Sequence, residues 1–365
     1  MKILLLTVGT INYNCDVNFF EPLKDMGYDV IRYNYVERLN LIGKSKMNKE
    51  IINIVKKERP EYVFFLAYQN QIKDSTLSKV GKLGSKVVVW FTDDHWRFDN
   101  YSRFVARHVF CAITTDKDAY KKYCDLSINV IRSQWASSPH YYKKIPTNFK
   151  YDVSFVGQNY GNRAEFLNLL KNKGIRLEVF GRGFGNYIEF NDVIKIFNES
   201  KINLNLSGSS ADERIKQIKG RVFEVPMCGG FLLTEYVEGI EEYFHIGKEI
   251  ECFKDRNEAL EKIRYYLENE EERKKIAEAG RIAALERHTW EKRLREVFDE
   301  FGKTEEIKRK QSLISKLKDK IIEIRVRDMG ITGKKLMGYL NRIYGIVKVG
   351  GKYIPFNKIG GKKLK

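Results

Sequence analysis

Cysteine and histidine are scarce in this sequence, and their scarcity argues against several kinds of protein. The 365 residues include 5 cysteines and 5 histidines. The cysteines are odd in number and contain no Cys-x-x-Cys pair, which argues against a disulfide framework and against a zinc site. No His-x-x-x-His pair occurs either. We therefore expect a protein of the reducing cytoplasm that holds no metal.

Long apolar runs and common nucleotide-binding motifs are missing as well. The apolar run within Met1–Gly9 is short and lacks the basic segment and cleavage site of a signal peptide, so it predicts a buried first strand. No stretch approaches the ~18 apolar residues that a membrane-spanning helix requires. The P-loop pattern G-x-x-x-x-G-K-[ST] and the dinucleotide pattern G-x-G-x-x-G are both absent. A P-loop nucleotidase and a nicotinamide-dependent enzyme are therefore disfavoured.

The composition is that of a globular protein with an unevenly distributed positive charge. Hydrophobic residues make up 43% and aromatic residues 13% of the chain, and its length fits two domains. Residues 303–365 hold 14 Lys and 4 Arg against 5 acidic residues, which places +13 of the total net charge of +18 in this segment. Such a segment points to an anionic membrane surface or to nucleic acid as a partner.

The basic segment itself divides into two predicted elements. An apolar stripe flanked by lysines predicts a basic amphipathic helix; the stripe consists of Ile307, Ile314, Leu317, Ile321 and Ile324. Beyond it, residues 346–354 predict a small hairpin that turns on Gly350-Gly351. The segment has few aromatic residues, so we do not expect it to bind nucleic acid. We expect peripheral binding at the inner face of a membrane, and the alternative is a tail that is solvated or packs on the rest of the protein or on a second subunit.

The rest of the chain alternates short apolar runs with helical stretches, the pattern of parallel sheets with crossover helices. The first series of predicted strands is Ile3–Val8, Tyr28–Tyr33, Tyr62–Ala67, Lys86–Phe91, Val109–Ile113 and Asn129–Arg132. The second series is Asp152–Val156, Leu177–Phe180, Ile202–Leu206, Phe231–Thr234 and Glu249–Phe253. The polar stretch His140–Lys150 is the predicted linker between them.

We therefore predict an α/β protein with two doubly wound, Rossmann-like halves and a basic extension. The predicted bounds are 1–145, 151–302 and 303–365. Ligands of such sheets bind beyond the carboxyl ends of the strands, so the loops there are the candidate site, in a cleft between the halves.

The segment Lys219–Glu235 predicts a short helix, a glycine pair and a buried strand. Glu224, near the start of the helix, can accept both hydroxyls of a ribose, and Arg221 with nearby backbone N–H groups can receive a diphosphate. Gly229 and Gly230 permit a tight turn into the strand. The alternative is a structural helix-to-strand turn with a surface Arg–Glu pair.

These residues resemble the donor-binding segment of the CgeB-like (spore-maturation-protein-type) glycosyltransferases, which have the GT-B fold and a group 1-like C-terminal domain. The resemblance spans roughly 151–301 and is weaker in the first half, at Trp90–Asp94. It rests on Arg221-Val-Phe-Glu224, Gly229-Gly230, Phe231–Thr234, Tyr265–Leu267, Glu272-Arg273, Ala279-Gly280, His288–Trp290 and Tyr151–Gly157 with Arg163.

The resemblance implies transfer of a hexosyl group from a nucleoside-diphosphate sugar, without metal or other cofactor and with retention of configuration. Glu224 would hold the ribose, and Gly157, Arg163 and Thr234 would belong to the donor site. The wider group of retaining enzymes often has a second glutamate eight positions before this one. Here that position is Lys216, with Glu213 three residues further back, so the sugar contacts and the stereochemistry stay open.

Two further loops of the second half are donor-site candidates. Gly181 and Arg182 follow a predicted strand, and Arg182 can reach phosphates. Ser207 begins a Ser-Gly-Ser-Ser loop that offers hydroxyl and backbone donors. Each of these loops has the alternative of an ordinary polar turn.

The first half contributes the candidates for chemistry on the acceptor. Asp93, Asp94 and His95 follow a buried strand, and at least one of them is expected to deprotonate an acceptor hydroxyl or stabilise positive charge on the sugar. The alternative is a capping Asp and a solvated His. The Asp-Asp spacing differs from the D-x-D metal site of the GT-A architecture, so no metal is expected. Acceptor-side candidates after the first strand are Gly9, Thr10 and Asn12.

The sequence thus predicts a glycosyltransferase that acts on a glycan, lipid-linked or protein acceptor, as in the synthesis of cell-envelope or surface glycans. Two alternatives stay open. One is a nucleotide-sugar epimerase on the same scaffold, which would turn over the donor alone. The other is a non-catalytic protein that binds a membrane or nucleic acid through its basic segment.

Overall fold

The computed structural model describes residues 1–9, 16–185, 188–303, 346–349 and 352–355. A first sheet of six parallel strands has the order β2-β1-β3-β4-β5-β6. Its strands are β1 (Lys2–Thr7), β2 (Asp29–Asn34), β3 (Tyr62–Ala67), β4 (Lys86–Phe91), β5 (Cys111–Thr114) and β6 (Val130–Arg132). A second sheet of five parallel strands has the order β11-β10-β9-β7-β8. Its strands are β7 (Tyr151–Val156), β8 (Leu177–Phe180), β9 (Ser200–Asn205), β10 (Leu232–Glu235) and β11 (Glu251–Phe253).

Helices cover these sheets. In the first half they are α1 (Glu21–Asp25), α2 (Tyr35–Ile42), α3 (Lys44–Glu58), α4 (Asp74–Lys82), α5 (Asp94–Arg97), α6 (Arg103–Val105) and α7 (Lys117–Asp125). In the second half they are α8 (Arg163–Asn172), α9 (Phe190–Glu199), α10 (Arg221–Met227), α11 (Arg256–Glu268), α12 (Glu270–Arg287) and α13 (290–303). Shorter π or 3-10 turns lie at Asp16–Phe20, Phe98–Ser102, Ala106–His108 and Ile240–Glu242.

The predicted α/β architecture of two parallel sheets is confirmed. Every predicted strand is present, and β3, β4 and β8 have the predicted bounds. All six residues of β3 are buried. Strands covered on both faces read as continuous apolar runs, and this is why the sequence located them well. The bounds predicted for the three domains stay predictions.

Helix α13 returns from the second half to the first. Trp290, at its start, packs against Phe19 and Trp90 with ring centroids 4.6 and 5.7 Å apart. Further along, Phe298 packs 5.6 Å from the ring of Tyr62 on β3. Aromatic pairs of this kind contribute about 0.5–1.5 kcal/mol each beyond the burial of their area. Helix α13, which follows the helices of the second half in the chain, therefore packs its aromatic residues against the first half.

Residues 1–298 form one compact unit and residues 299–365 a second. In the second unit, β12 (Ile346–Val349) and β13 (Lys352–Pro355) pair antiparallel, which confirms the predicted hairpin. The predicted amphipathic helix at 307–324 lies outside the described residues. Within the described ranges, no helix has both the length and the apolar character needed to cross a membrane.

Candidate functional site

A cavity of about 890 Å³ lies where the carboxyl ends of the two sheets face each other. The loops after β4, β7 and β8 and the start of α10 provide its walls. Of the residues predicted for the site, it is lined by Asp93, Gly157, Arg163, Gly181, Arg182, Arg221 and Glu224. Parallel strands bring their following loops to one edge of the sheet, and so residues far apart in sequence meet here.

The loops after β7 and β8 run side by side along one wall of the cavity. The Gly157 N–H donates to the Phe180 carbonyl over 2.9 Å, and the Asn159 N–H donates to the Arg182 carbonyl over 2.9 Å. Gly181 has φ +127°, and a Cβ there would lie 2.0 Å from the Gly157 carbonyl oxygen. Only glycine fits this close approach, which presents bare backbone to the cavity.

Glu224 is a buried carboxylate on this cavity, with only 9% of its surface exposed. The Arg221 guanidinium donates to it, and the buried Tyr142 side chain lies near enough to interact with its charge. Burial, followed by the charge of Glu224, raises the pKa of Tyr142 well above its usual value. A Cβ at Gly220 would lie 3.0 Å from Glu224 Oε1. The backbone of Gly220 therefore lies close to this oxygen, with no side chain between them. A carboxylate held in this way can accept two hydroxyl groups from a ligand.

Arg163, at the start of α8, is a buried cation with 7% of its surface exposed. Its terminal nitrogens donate to the carbonyls of Gln158 and Leu206, each over 3.0 Å. Its guanidinium lies 3.7 Å from the ring centroid of Tyr160, and its Nε has no partner among the described residues. Burial lowers the pKa of this group. The partners are neutral, so its charge is free to attract an anion in the cavity.

Lys219 is a second cation on the same cavity that lacks a carboxylate partner. The half-buried side chain makes no hydrogen bond or ion pair within the part of the chain that the structure describes. Burial and then the positive charge of Arg163 lower the pKa of Lys219 to about 7, against the opposing charges of Asp93 and Glu235. Sequence reasoning missed both Lys219 and Tyr142. Lys219 stands two residues before Arg221 in a segment that the sequence did single out, whereas Tyr142 lies in the predicted linker.

Asp93 and Asp94 are neighbours in sequence but face different environments. Asp93 lines the cavity and accepts a hydrogen bond from the Thr92 hydroxyl over 3.3 Å. Asp94 is 2% exposed and accepts from the Tyr123 hydroxyl over 3.2 Å, inside the first half. Burial raises the pKa of Asp94 to about 7. The cavity therefore receives Asp93, while Asp94 supports the helix behind it.

The side chain of His95 forms a contact between the two halves. Its Nε2 lies 2.9 Å from the hydroxyl oxygen of Ser209, which is in the loop after β9. Burial and the charge of Lys219 lower the pKa of His95 to about 3. The imidazole is therefore neutral at physiological pH and acts in the structure as a hydrogen-bonding contact across the cleft.

The buried Asp94 leads to a prediction about stability and pH. In the unfolded chain this group ionises near its ordinary pKa, and in the folded chain only near pH 7, so the folded state binds the extra proton between these values. The free energy of unfolding should therefore fall as the pH rises from about 4 to about 7, by an amount on the order of 3 kcal/mol. Asp94→Asn removes this loss. Urea unfolding at pH 4.5, 6 and 7.5 should show the variant gaining stability relative to wild type as the pH rises. A pH-independent difference would contradict the assignment, and Asp93→Asn is the control.

The other described candidates lie outside the cavity wall. Ser207 donates through its hydroxyl to the Glu235 carbonyl over 2.9 Å, and Thr234 accepts from the Asn205 amide over 2.8 Å. Gly229 and Gly230 form the turn from α10 into β10, where a Cβ on Gly230 would lie 2.7 Å from the side chain of Asn203. These residues shape the sheet behind the site.

The acceptor-side candidates after β1 are only partly described. Gly9 lies beside the side chain of Asn34, from which an added Cβ would be 3.2 Å. Thr10 and Asn12 lie outside the described residues.

The loop before α10 does not bring Lys216 or Glu213 to the cavity wall in the described structure. Lys216 forms an ion pair of 3.1 Å with Glu235. Glu213 accepts a hydrogen bond of 2.6 Å from the backbone N–H of Asn162. The same loop lines the cavity instead with Ser210, Gln217 and Lys219. This loop therefore presents hydroxyl, amide and ammonium groups to the cavity.

No cluster of three or more His, Cys, Asp or Glu side chains suited to a metal ion occurs among the described residues.

Comparison with known proteins identifies a family match for part of the chain and solved structures of similar fold. Residues 163–299 match a family described as glycosyl transferase-like. No curated protein is significantly similar to the sequence.

Several solved structures are similar in fold. A glycosyltransferase from Rickettsia africae has 12% identity and a TM-score of 0.58, covering 83% of this chain and 98% of the other. HepE from Anabaena, in complex with UDP and glucose, has 10% identity and a TM-score of 0.58, covering 83% and 100%. Sucrose-phosphate synthase from Thermosynechococcus elongatus has 10% identity and a TM-score of 0.55, covering 83% and 98%. At such low identity the likeness shows the fold alone, and the chain has the GT-B fold that the sequence predicts.

Proposed function

We propose that this chain transfers a sugar from a nucleoside-diphosphate sugar to a hydroxyl acceptor, because a glycosyl transferase-like domain forms one wall of its central cavity. The observation that carries the proposal is the arrangement on that wall. Glu224 is a carboxylate that neighbouring side chains keep in position. Arg163 and Lys219 are cations without acidic partners in the described structure. One anionic acceptor beside two cations suits a ribose joined to a diphosphate.

In this proposal the donor lies along the second half. Its ribose hydroxyls donate to Glu224, while its diphosphate lies against Arg163, with Arg182 at the rim of the cavity. The bare backbone at Gly157 and Gly181 lets the nucleotide approach the sheet closely. Arg163 is held by its backbone partners and Lys219 lies on the same cavity, so the two side chains stabilise the charge that develops on the leaving diphosphate with little movement.

The acceptor enters from the first half, opposite the donor. The bond between the sugar C1 and the diphosphate oxygen breaks, and its electron pair stays on the diphosphate. The acceptor oxygen forms the new bond to C1 and loses its proton. Asp93 faces the cavity from this side, where its carboxylate can stabilise positive charge at C1 and take the acceptor proton.

The class of donor is proposed from two sources. The sequence resemblance implies a hexosyl group and retention of configuration, and the HepE structure of similar fold contains UDP and glucose. We propose a uridine-type or related nucleoside diphosphate hexose as donor, used without a metal. NMR of the anomeric proton of the product measures the stereochemical outcome.

The proposal is tested by a thermal-shift screen against UDP, GDP, ADP, CMP, dTDP and their common sugar conjugates, with and without EDTA. A ligand at ~100 times its dissociation constant adds about 2.7 kcal/mol of stability, which raises the melting temperature by several degrees. We expect one nucleotide family to do this equally in EDTA. The sugar conjugate should then be consumed only when a hydroxyl acceptor is present. Turnover of the conjugate alone into an epimer would identify an epimerase, and no shift with any nucleotide would refute the proposal.

A further inference from the structure

Four cations of the second half line the central cavity, and three of them, Arg163, Lys219 and Arg221, differ in the partners that neutralise or hold them. Arg221 is paired with Glu224. Arg163 donates to two backbone carbonyls, which hold its guanidinium in place. Lys219 has neither kind of partner within the described ranges. Its ammonium group therefore depends on whatever occupies the cavity for its hydrogen bonds.

We infer that Lys219 binds the diphosphate of the donor as an ammonium group that takes up its proton when the diphosphate arrives. The inference rests on the proposed function, because that function supplies the diphosphate. It goes further by making donor affinity depend on a proton and by naming the residue that carries it.

The charges that face Lys219 come from several elements. Arg163 on α8 repels its positive charge, and burial disfavours the charge as well. Asp93, beyond β4, and Glu235, at the end of β10, favour it. His95 on α5 is neutral, because the pKa of its imidazole lies near 3. Glu235 is already shared with Lys216 and with the Ser207 backbone N–H, so it compensates Lys219 only in part.

Binding of a diphosphate shifts the balance of charges around Lys219 in favour of its protonated form. It brings at least two negative charges next to a group whose pKa in the empty cavity is about 7. An adjacent opposite charge raises the pKa of a lysine toward and above its ordinary value. Above pH 7 the empty site holds neutral Lys219 and the filled site holds the ammonium ion, so binding consumes a proton. The affinity should then fall about tenfold for each pH unit between about 7.5 and 9.5.

The test uses sodium pyrophosphate as the probe, with EDTA, in isothermal titration calorimetry at pH 7, 8 and 9. Pyrophosphate itself titrates in this range, so each result is a comparison between variants at one pH. Lys219→Arg keeps a charge that does not titrate. We expect the dissociation constant of wild type to rise about tenfold relative to that of Lys219→Arg between pH 8 and pH 9. Lys219→Met should bind at least tenfold more weakly than Lys219→Arg at every pH.

Proton uptake gives a second readout. Titrations at pH 8.5 in buffers of different ionisation enthalpy should show about one more proton taken up by wild type than by Lys219→Arg. Lys195→Met is the control, because Lys195 lies on α9, is paired with Asp192 at 3.0 Å and is not among the residues that line the cavity. It should leave the uptake at the wild-type value. Circular dichroism of each variant checks that it is folded.

The outcomes separate this inference from the proposed function. Parallel pH profiles of wild type and Lys219→Arg, binding by Lys219→Met at the wild-type level, or no pyrophosphate binding at all would overturn the role of Lys219. Sugar transfer could still be observed in any of these cases. Conversely, Lys219-dependent proton uptake in a protein that turns over no sugar nucleotide would retain the anion site and refute the transferase.

Discussion

Replacing Glu224 by alanine is expected to weaken the binding of the nucleoside diphosphate found in the thermal-shift screen by about 100-fold or more. Two ribose hydroxyls would lose a charged acceptor, and hydrogen bonds to a charged group contribute about 1.5–3 kcal/mol each. A loss of about 3 kcal/mol corresponds to roughly a 100-fold change in the dissociation constant. Isothermal titration calorimetry of wild type and variant measures it directly.

Two further variants test whether the loss of affinity is specific to the carboxylate of Glu224. Glu224→Gln keeps the side-chain shape and one acceptor oxygen for Arg221, so it should fold normally and still lose most of the affinity. Glu178→Gln makes the same chemical change at an exposed position on β8 and should bind as wild type does. If Glu224→Ala bound the nucleotide as tightly as wild type, the ribose assignment would be wrong. A 2′,3′-dideoxynucleotide should bind wild type weakly and the alanine variant no worse.

The sequence located the sheets more accurately than it located the packing between them. A strand buried on both faces, such as β3, is visible as an apolar run whatever its neighbours are. Helix α13 carries apolar residues at helical spacing, such as Trp290, Leu294 and Val297, but this spacing does not say which sheet its apolar face meets. Trp290 and Phe298 meet the first sheet, and this depends on the path of the whole chain.

The sequence predicted those candidate site residues that come directly after a strand. Asp93, Gly157 and Gly181 each come directly after a strand, and all three line the cavity. Tyr142 could not be found in this way, because it lies in the segment between the halves and reaches Glu224 only in the folded chain. Lys219 becomes a candidate only through its lack of an acidic partner in the described structure, which is a property of the tertiary structure.

Asp93 and Asp94 provide a second large prediction, because the chain itself supplies a matched pair. Asp93→Asn is expected to lower the rate of sugar transfer by about 100- to 10,000-fold, since it removes the carboxylate that faces the acceptor and C1. Donor affinity should change much less than the transfer rate, because the ribose and diphosphate contacts lie on the opposite wall and Asp93 affects them only through the charge of Lys219. Single-turnover rates and dissociation constants, measured on the same samples, separate the two effects.

Asp94→Asn makes the identical change one residue later, on a buried side chain bonded to Tyr123. Its effect should be on stability and its pH dependence, with transfer reduced several-fold at most, because the group does not reach the cavity in the described structure. Measured above pH 8, where Asp94 is ionised as well, the two variants carry the same change of charge at nearly the same place, so long-range electrostatics affect both alike. Equal losses of transfer in the two would mean that the segment acts through its fold, and the proposed role of Asp93 in the chemistry would then be wrong. A loss confined to Asp93→Asn would instead assign the chemistry to the one carboxylate that this turn directs into the cavity.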